Sequence, residues 1–122
     1  MQRILYVEDD PDIRIIGLMA LEEVGGFTVT ACSSGREALD RAAGAEADVI
    51  LLDVMMPDMD GYATLRALRA LPETASTPVI FMTAKVQAAE IARHELQGAV
   101  GVIAKPFDPL ELPQQIRRLC GG

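Results

Sequence analysis

Tryptophan is absent and aromatic residues are few, two Tyr and three Phe in 122 residues. A core of stacked rings is thereby excluded, and the apolar half of the composition must pack through Val, Ile, Leu, Met and Ala, which suits helices layered on a sheet. Only two cysteines occur, Cys32 and Cys120, far apart and outside any CxxC or Cys/His cluster. Neither a zinc site nor a disulfide framework is indicated, and Cys32 reads as a small hydrophobe near a strand end. A chain of this length buries a core without such staples and reads as one domain over 1–122. Positive charge is also short, 11 basic against 18 acidic residues for a net charge of −7. That balance disfavours a binder of the nucleic-acid backbone or of an anionic membrane surface. No apolar run reaches transmembrane length, and Met1-Gln2 leads directly into Arg3-Ile4-Leu5-Tyr6-Val7 and then acids, without a cationic leader. A cytoplasmic protein is expected, with no direct nucleic-acid or membrane partner.

What is present is organised around Val49-Ile50-Leu51-Leu52-Asp53 and the turn residues Pro57, Asp58, Asp60 and Gly61. A short unbroken aliphatic run reads as a strand buried on both faces, and it ends on a carboxylate where the chain meets solvent. Taken alone, Asp53 is better explained by turn chemistry than by function. The remaining pattern changes that balance. Strands are predicted over 3–7, 27–32, 48–52, 78–82 and 100–104. Helices are predicted over 11–24, 35–43, 61–71, 86–97 and from Asp108-Pro109 to 119, with Ser34 as an N-cap, Pro72 as a stop and Pro113 bending or delaying the last helix.

Five strands alternating with five helices give an α/β fold, a doubly wound five-stranded parallel sheet in flavodoxin-like order 2-1-3-4-5 with helices on both faces. Ligands of such sheets bind beyond the carboxyl ends of the strands. Here Glu8 and Asp9 end strand one, Asp53 strand three, Thr83 strand four and Lys105 strand five. Three carboxylates from two adjacent strands repel unless a cation lies among them, and an all-oxygen set points to Mg²⁺ or Mn²⁺ rather than zinc. A lysine and a hydroxyl opposite suit the oxygens of a transferring phosphoryl group, with Asp53 as nucleophile. The glycine-rich loop that cradles phosphate after strand one in nucleotide and flavin sites is missing.

Four segments together, Val7-Glu8-Asp9-Asp10-Pro11, Leu52-Asp53-Val54-Met55-Met56-Pro57-Asp58-Met59-Asp60-Gly61, Met82-Thr83-Ala84 and Lys105-Pro106-Phe107, resemble a bacterial two-component response-regulator receiver domain of the single-domain, chemotaxis-regulator-like kind. The resemblance covers essentially the whole chain, with no output domain in it. It implies two-component phosphorelay signal transduction, with Asp53 as phosphoacceptor. It also implies a Mg²⁺ site of Glu8, Asp9, Asp53 and the Met55 carbonyl, Thr83 and Lys105 as phosphoryl-sensing groups, and a cis Lys105–Pro106 bond. A histidine kinase or histidine phosphotransfer protein would be the donor, and an output partner of unknown identity would read the face of helix four, strand five and helix five. On this reading the domain is not an enzyme beyond assisting its own phosphorylation and slow dephosphorylation. Val102 departs from the pattern, standing where the family often has the aromatic residue of its switch. Two other classes are the alternatives: a phosphorylation-independent interaction module of the same fold, and a Mg²⁺-dependent aspartyl-phosphate hydrolase, which lacks here an acid two residues after Asp53 and room for a cap. The lone His94, mid-helix, reads as an ordinary surface residue.

Overall fold

The structure, a computed structural model, describes residues 3–85 and 87–121. Five strands, β1 (Arg3–Val7), β2 (Thr28–Cys32), β3 (Val49–Asp53), β4 (Val79–Thr83) and β5 (Gly101–Ala104), form one parallel sheet in the order β2-β1-β3-β4-β5. The helices are α1 (Pro11–Met19), α2 (Gly35–Ala45), α3 (Gly61–Arg69), α4 (Ala88–Leu96) and α5 (Leu112–Leu119). The period-2 alternation of strand side chains divides the core in two. Leu5, Val7, Ile50, Leu52 and Phe81 face α2 and α3, while Ile4, Tyr6, Val49, Leu51, Ile80 and Met82 face α1 and α5. β3 and β4 are buried at every position, as the unbroken aliphatic run required. Each fully buried Leu or Ile contributes roughly 1.5–3 kcal/mol relative to exposure, so these two strands form the most firmly held part of the sheet.

Several boundaries differ from expectation for local reasons. The first helix leaves α-geometry after Met19 and runs as a π-helical turn over Ala20–Val24. Gly25 N–H donates to Ala20 O at 3.0 Å, and Arg117 from α5 donates to Gly25 O at 2.6 Å while lying 4.5 Å over the Phe27 ring. That clamp comes from a residue 92 positions away, beyond the reach of periodicity. α3 stops at Arg69, short of Pro72: the backbone tightens there, Ala70 N–H donating to Ala67 O and Leu71 N–H to Leu68 O, and the Arg69 side chain reaches forward to donate to Thr74 O and Thr77 O. The helix expected over 86–97 begins at Ala88, and Val86 lies outside the described residues. Asp108 closes a turn instead of capping α5, its carboxylate accepting from Leu110 N–H at 2.9 Å. α5 starts at Leu112 with Pro113 in its first turn, where a missing N–H costs no helical bond, so the proline delays the helix. Ser34 caps α2 through Glu37 N–H, as expected.

His94 corrects the surface assignment: it is 1% exposed. Its Nδ1 meets the Tyr62 hydroxyl at 2.8 Å, and its ring lies 5.5 Å from that of Tyr62 and 5.3 Å from that of Phe81. Burial removes water from the ring and disfavours its charged form, which lowers the His94 pKa below its ordinary value near 6.5. The sign follows. The unfolded chain takes up the proton first, so this contribution to stability is complete above about pH 6.5 and is lost as pH falls from there to the folded-state pKa. Because the chain has a single histidine, its ring-proton NMR titration is unambiguous. A midpoint below 6.5 is expected, and one at or above 6.5 would mean a solvated ring.

Candidate functional site

Strand register assembles the site. Val7 pairs with Leu52, so Glu8 and Asp53 continue one row, while Asp53 pairs with Met82 and Thr83 with Ala104. Each of the four strands therefore releases its last polar residue at the same edge. Asp53 is the final residue of β3, 2% exposed, and Glu8 is fully buried. Glu8 is held from several directions. Its N–H donates to Cys32 O at 3.0 Å, its Oε2 accepts from Asp10 N–H at 3.2 Å, and its Oε1 accepts from Lys105 Nζ at 2.8 Å. The same ammonium donates to Asp53 Oδ1 at 3.2 Å. Asp10 takes no part in the cluster, because its carboxylate caps α1 through the N–H groups of Asp12 and Ile13.

The turn after β3 closes tightly over the carboxylate. Val54 N–H donates to Met82 O and Gly61 N–H to Val54 O. A Cβ at Gly61 would come within 2.6 Å of the Asp53 carbonyl, so only glycine lets α3 start this close to the strand end. Asp60 caps α3, accepting from Ala63 N–H at 2.8 Å. Met55 stands at the mouth, 70% exposed. On the far side Thr83 Oγ1 accepts from Lys85 N–H at 3.1 Å, which leaves the hydroxyl proton free to be donated elsewhere. The Lys105–Pro106 peptide is cis, as the resemblance implied.

Burial first, then the Glu8 carboxylate, pushes the Asp53 pKa up to about 7, although Lys105 pulls the other way. For Lys105, burial acts downward, but hydrogen bonds and charge from Glu8 and Asp53 outweigh it and raise the ammonium above its ordinary range. One ammonium thus stands against a surplus of negative charge. Glu8, Asp9 and Asp53 each place a carboxylate oxygen within 4.8 Å of the others. Hard oxygen donors, mutual repulsion and partial burial are the conditions that a small divalent cation relieves, so the donor set fits Mg²⁺.

Every residue named from the sequence, Glu8, Asp9, Asp53, Met55, Thr83 and Lys105, lies at this edge. The sequence reading missed Arg14, whose Nη1 donates to the main-chain carbonyl of Glu8 at 2.8 Å. Its position one turn into the helix that follows the acids is the only signal that could have drawn attention to it.

Comparison with known proteins agrees with the geometry. Residues 4–117 match the family described as response regulator receiver domain. The chain is 39% identical over 119 residues to the transcriptional regulatory protein CpxR of Escherichia coli, covering 98% of this chain and 49% of that protein. It is 37% identical over 116 residues to the probable transcriptional regulator ycf27 of Guillardia theta, covering 95% and 44%. The chain thus spans about half the length of the curated relatives it matches. Among solved structures, the chemotaxis protein CheY4 of Vibrio cholerae superposes with a TM-score of 0.89 at 33% identity, with 98% of both chains covered. The receiver domain of a sensor histidine kinase from Pseudomonas aeruginosa, with a magnesium ion coordinated in its active-site cleft, superposes at 0.84 with 30% identity over the whole of both chains. The sheet order, the acidic edge and these matches together place the chain in the response-regulator receiver domain family of two-component signalling.

Proposed function

We propose that this domain accepts a phosphoryl group on Asp53 from a histidine kinase or histidine phosphotransfer protein and relays the change to an output partner in the cytoplasm. The observation that carries the reading is the buried Asp53 carboxylate at the end of β3, with Glu8 and Asp9 on one side and Lys105 within 3.2 Å. In this reading Glu8, Asp9, Asp53 and the Met55 carbonyl hold Mg²⁺, which when bound supplies positive charge to the carboxylates and to the phosphoryl oxygens. An Asp53 oxygen attacks phosphorus as the P–N bond to the donor imidazole breaks, and the leaving imidazole takes up a proton. The attacking carboxylate must be ionised, and a cation held beside it favours that form. Lys105 already donates to Asp53 Oδ1, within reach of a group carried on that carboxylate.

An apolar groove of about 360 Å³ between Ile13 and Ile16 of α1 and Pro106-Phe107 opens beside Lys105, where an approaching donor can rest. The dianionic product then draws the Thr83 hydroxyl and the Lys105 ammonium toward itself. The loop after β4 follows, altering the face of α4, β5 and α5. With Val102 on β5 there is no aromatic side chain to rotate at that position, so the shift passes through the backbone and α4. The domain is a phosphoacceptor rather than an enzyme acting on a separate substrate, and its net charge of −7 disfavours direct binding to a nucleic-acid backbone.

Intact-protein mass after incubation with Mg²⁺ and a small acyl phosphate tests this. Wild type is expected to gain one phosphoryl group, while wild type with chelator and Asp53→Ala gain none. Folded, Mg²⁺-loaded protein that gains nothing, from the acyl phosphate or from a histidine kinase, would instead be a docking module.

A further inference from the structure

Arg14 lies one turn into α1 and reaches back to the acidic loop. Its Nη1 donates to Glu8 O at 2.8 Å and lies 3.4 Å from Asp9 O. These carbonyls belong to the two residues that present carboxylates to Asp53 from β1. The rest of the loop is held by other ties. Glu8 N–H is bound to Cys32 O, Asp10 caps α1, and Arg14 N–H itself donates to Asp10 O at 2.9 Å. The guanidinium adds the tie that spans both acidic residues, bridging the strand end and the helix that follows it.

We propose that Arg14 is a positioning residue of the cation site. By holding the carbonyls of Glu8 and Asp9 it sets the direction in which their carboxylates meet that of Asp53. The inference rests on the reading that a divalent cation binds there.

Two simpler roles make different predictions. If Arg14 were merely a nearby positive charge, removing it would lessen repulsion and tighten cation binding. If it merely stabilised α1, its loss would weaken all cations alike. A positioning role predicts weaker binding together with a change in selectivity. Mg²⁺ demands near-ideal octahedral geometry at about 2.0–2.1 Å, whereas Ca²⁺ accepts irregular sets of oxygens at about 2.3–2.6 Å. A loosened loop therefore penalises Mg²⁺ more than Ca²⁺.

Calorimetric titration of the whole chain with Mg²⁺ and with Ca²⁺ tests this, on wild type, Arg14→Met and Arg14→Lys, with folding checked by circular dichroism. Arg14→Met keeps the apolar stem and is expected to bind Mg²⁺ about ten-fold more weakly, the low end of the roughly ten- to hundred-fold losses that follow removal of groups orienting a ligand. Its Ca²⁺ affinity should fall less. Arg14→Lys, with the charge and one reachable donor, should recover part of the Mg²⁺ affinity. Unchanged or tighter Mg²⁺ binding by Arg14→Met, or equal losses for both cations, overturns the proposal. If Arg14→Met does not fold, Arg14→Gln against Arg14→Lys decides on the same two readouts. Wild type that fails to bind Mg²⁺ removes the cation reading itself, and this proposal with it.

Discussion

Lys105→Met is expected to lower stability by about 3–5 kcal/mol at pH 8 in chelator, the usual cost of removing one partner of a buried ion pair. For a domain of this size that corresponds to a fall in Tm of about 10–20 °C. The reason is that Nζ serves two carboxylates, Glu8 at 2.8 Å and Asp53 at 3.2 Å, both almost wholly buried. Without the ammonium they face each other in a poorly solvated site, and the methionine stem replaces packing but not charge. The pH dependence separates the two contributions. Lys105 has a raised folded-state pKa, so its own stabilisation is complete below its unfolded pKa near 10.4 and is lost only as pH rises through the higher folded value. It does not titrate between pH 5 and 8. Any change in that window comes from the carboxylates, which accept a proton more readily once the lysine is gone. The gap between wild type and Lys105→Met should therefore narrow at pH 5, and also on adding Mg²⁺ at pH 8. Thermal melts at both pH values decide the matter. An equal deficit at pH 5 and pH 8 would assign the effect to packing of the lysine stem.

Asp53→Asn should move stability the other way. The folded-state pKa of Asp53 is raised from 3.8 to about 7, first by burial and then by Glu8, against the pull of Lys105. An acid shifted upward contributes stability that is complete below its unfolded pKa and lost as pH rises through its folded pKa. Wild type thus carries a penalty at pH 8 that is absent below about pH 4. At roughly 1.4 kcal/mol per pKa unit the penalty is a few kcal/mol, and Asn keeps the shape and an acceptor for Lys105. We expect Asp53→Asn to melt about 5–10 °C above wild type at pH 8 in chelator, with the difference closing as pH falls towards 4. Saturating Mg²⁺ should raise wild type and leave the variant nearly unmoved, because ligand linkage acts only where the cation binds. A variant that melts below wild type at pH 8 without Mg²⁺ would show that the ionised carboxylate is comfortable where it lies. The same substitution should abolish phosphorylation, so site strain and function meet in one side chain.

His94 opposes Asp53 over the same pH window. Its lowered pKa makes stability grow as pH rises to about 6.5, while the raised pKa of Asp53 makes it decline towards 7. The two differ in how far the sequence exposes them. Asp53 is announced by its own neighbours, four aliphatic residues before it and turn residues after it. His94 sits on an amphipathic helix whose pattern does not mark it as buried. What buries it are Tyr62 and Phe81, 32 and 13 positions earlier, and no local rule relates the three.

The division between what the sequence by itself determined and what the tertiary structure decided follows from that distinction. Strand positions, the Ser34 cap, the parallel order 2-1-3-4-5 and the arrival of Glu8, Asp9, Asp53, Thr83 and Lys105 at one edge were all legible. Propensity, capping and hydrophobic period act within about four residues, and right-handed crossovers then admit few topologies. The π-helical turn after Met19 and the burial of His94 were settled by packing. So were the sharing of one ammonium by two carboxylates 45 residues apart and the grip of Arg14 on the acidic loop. Burial, charge pairing and pKa depend on which distant groups the folded chain brings within a few ångströms, and that distance is a property of the whole fold.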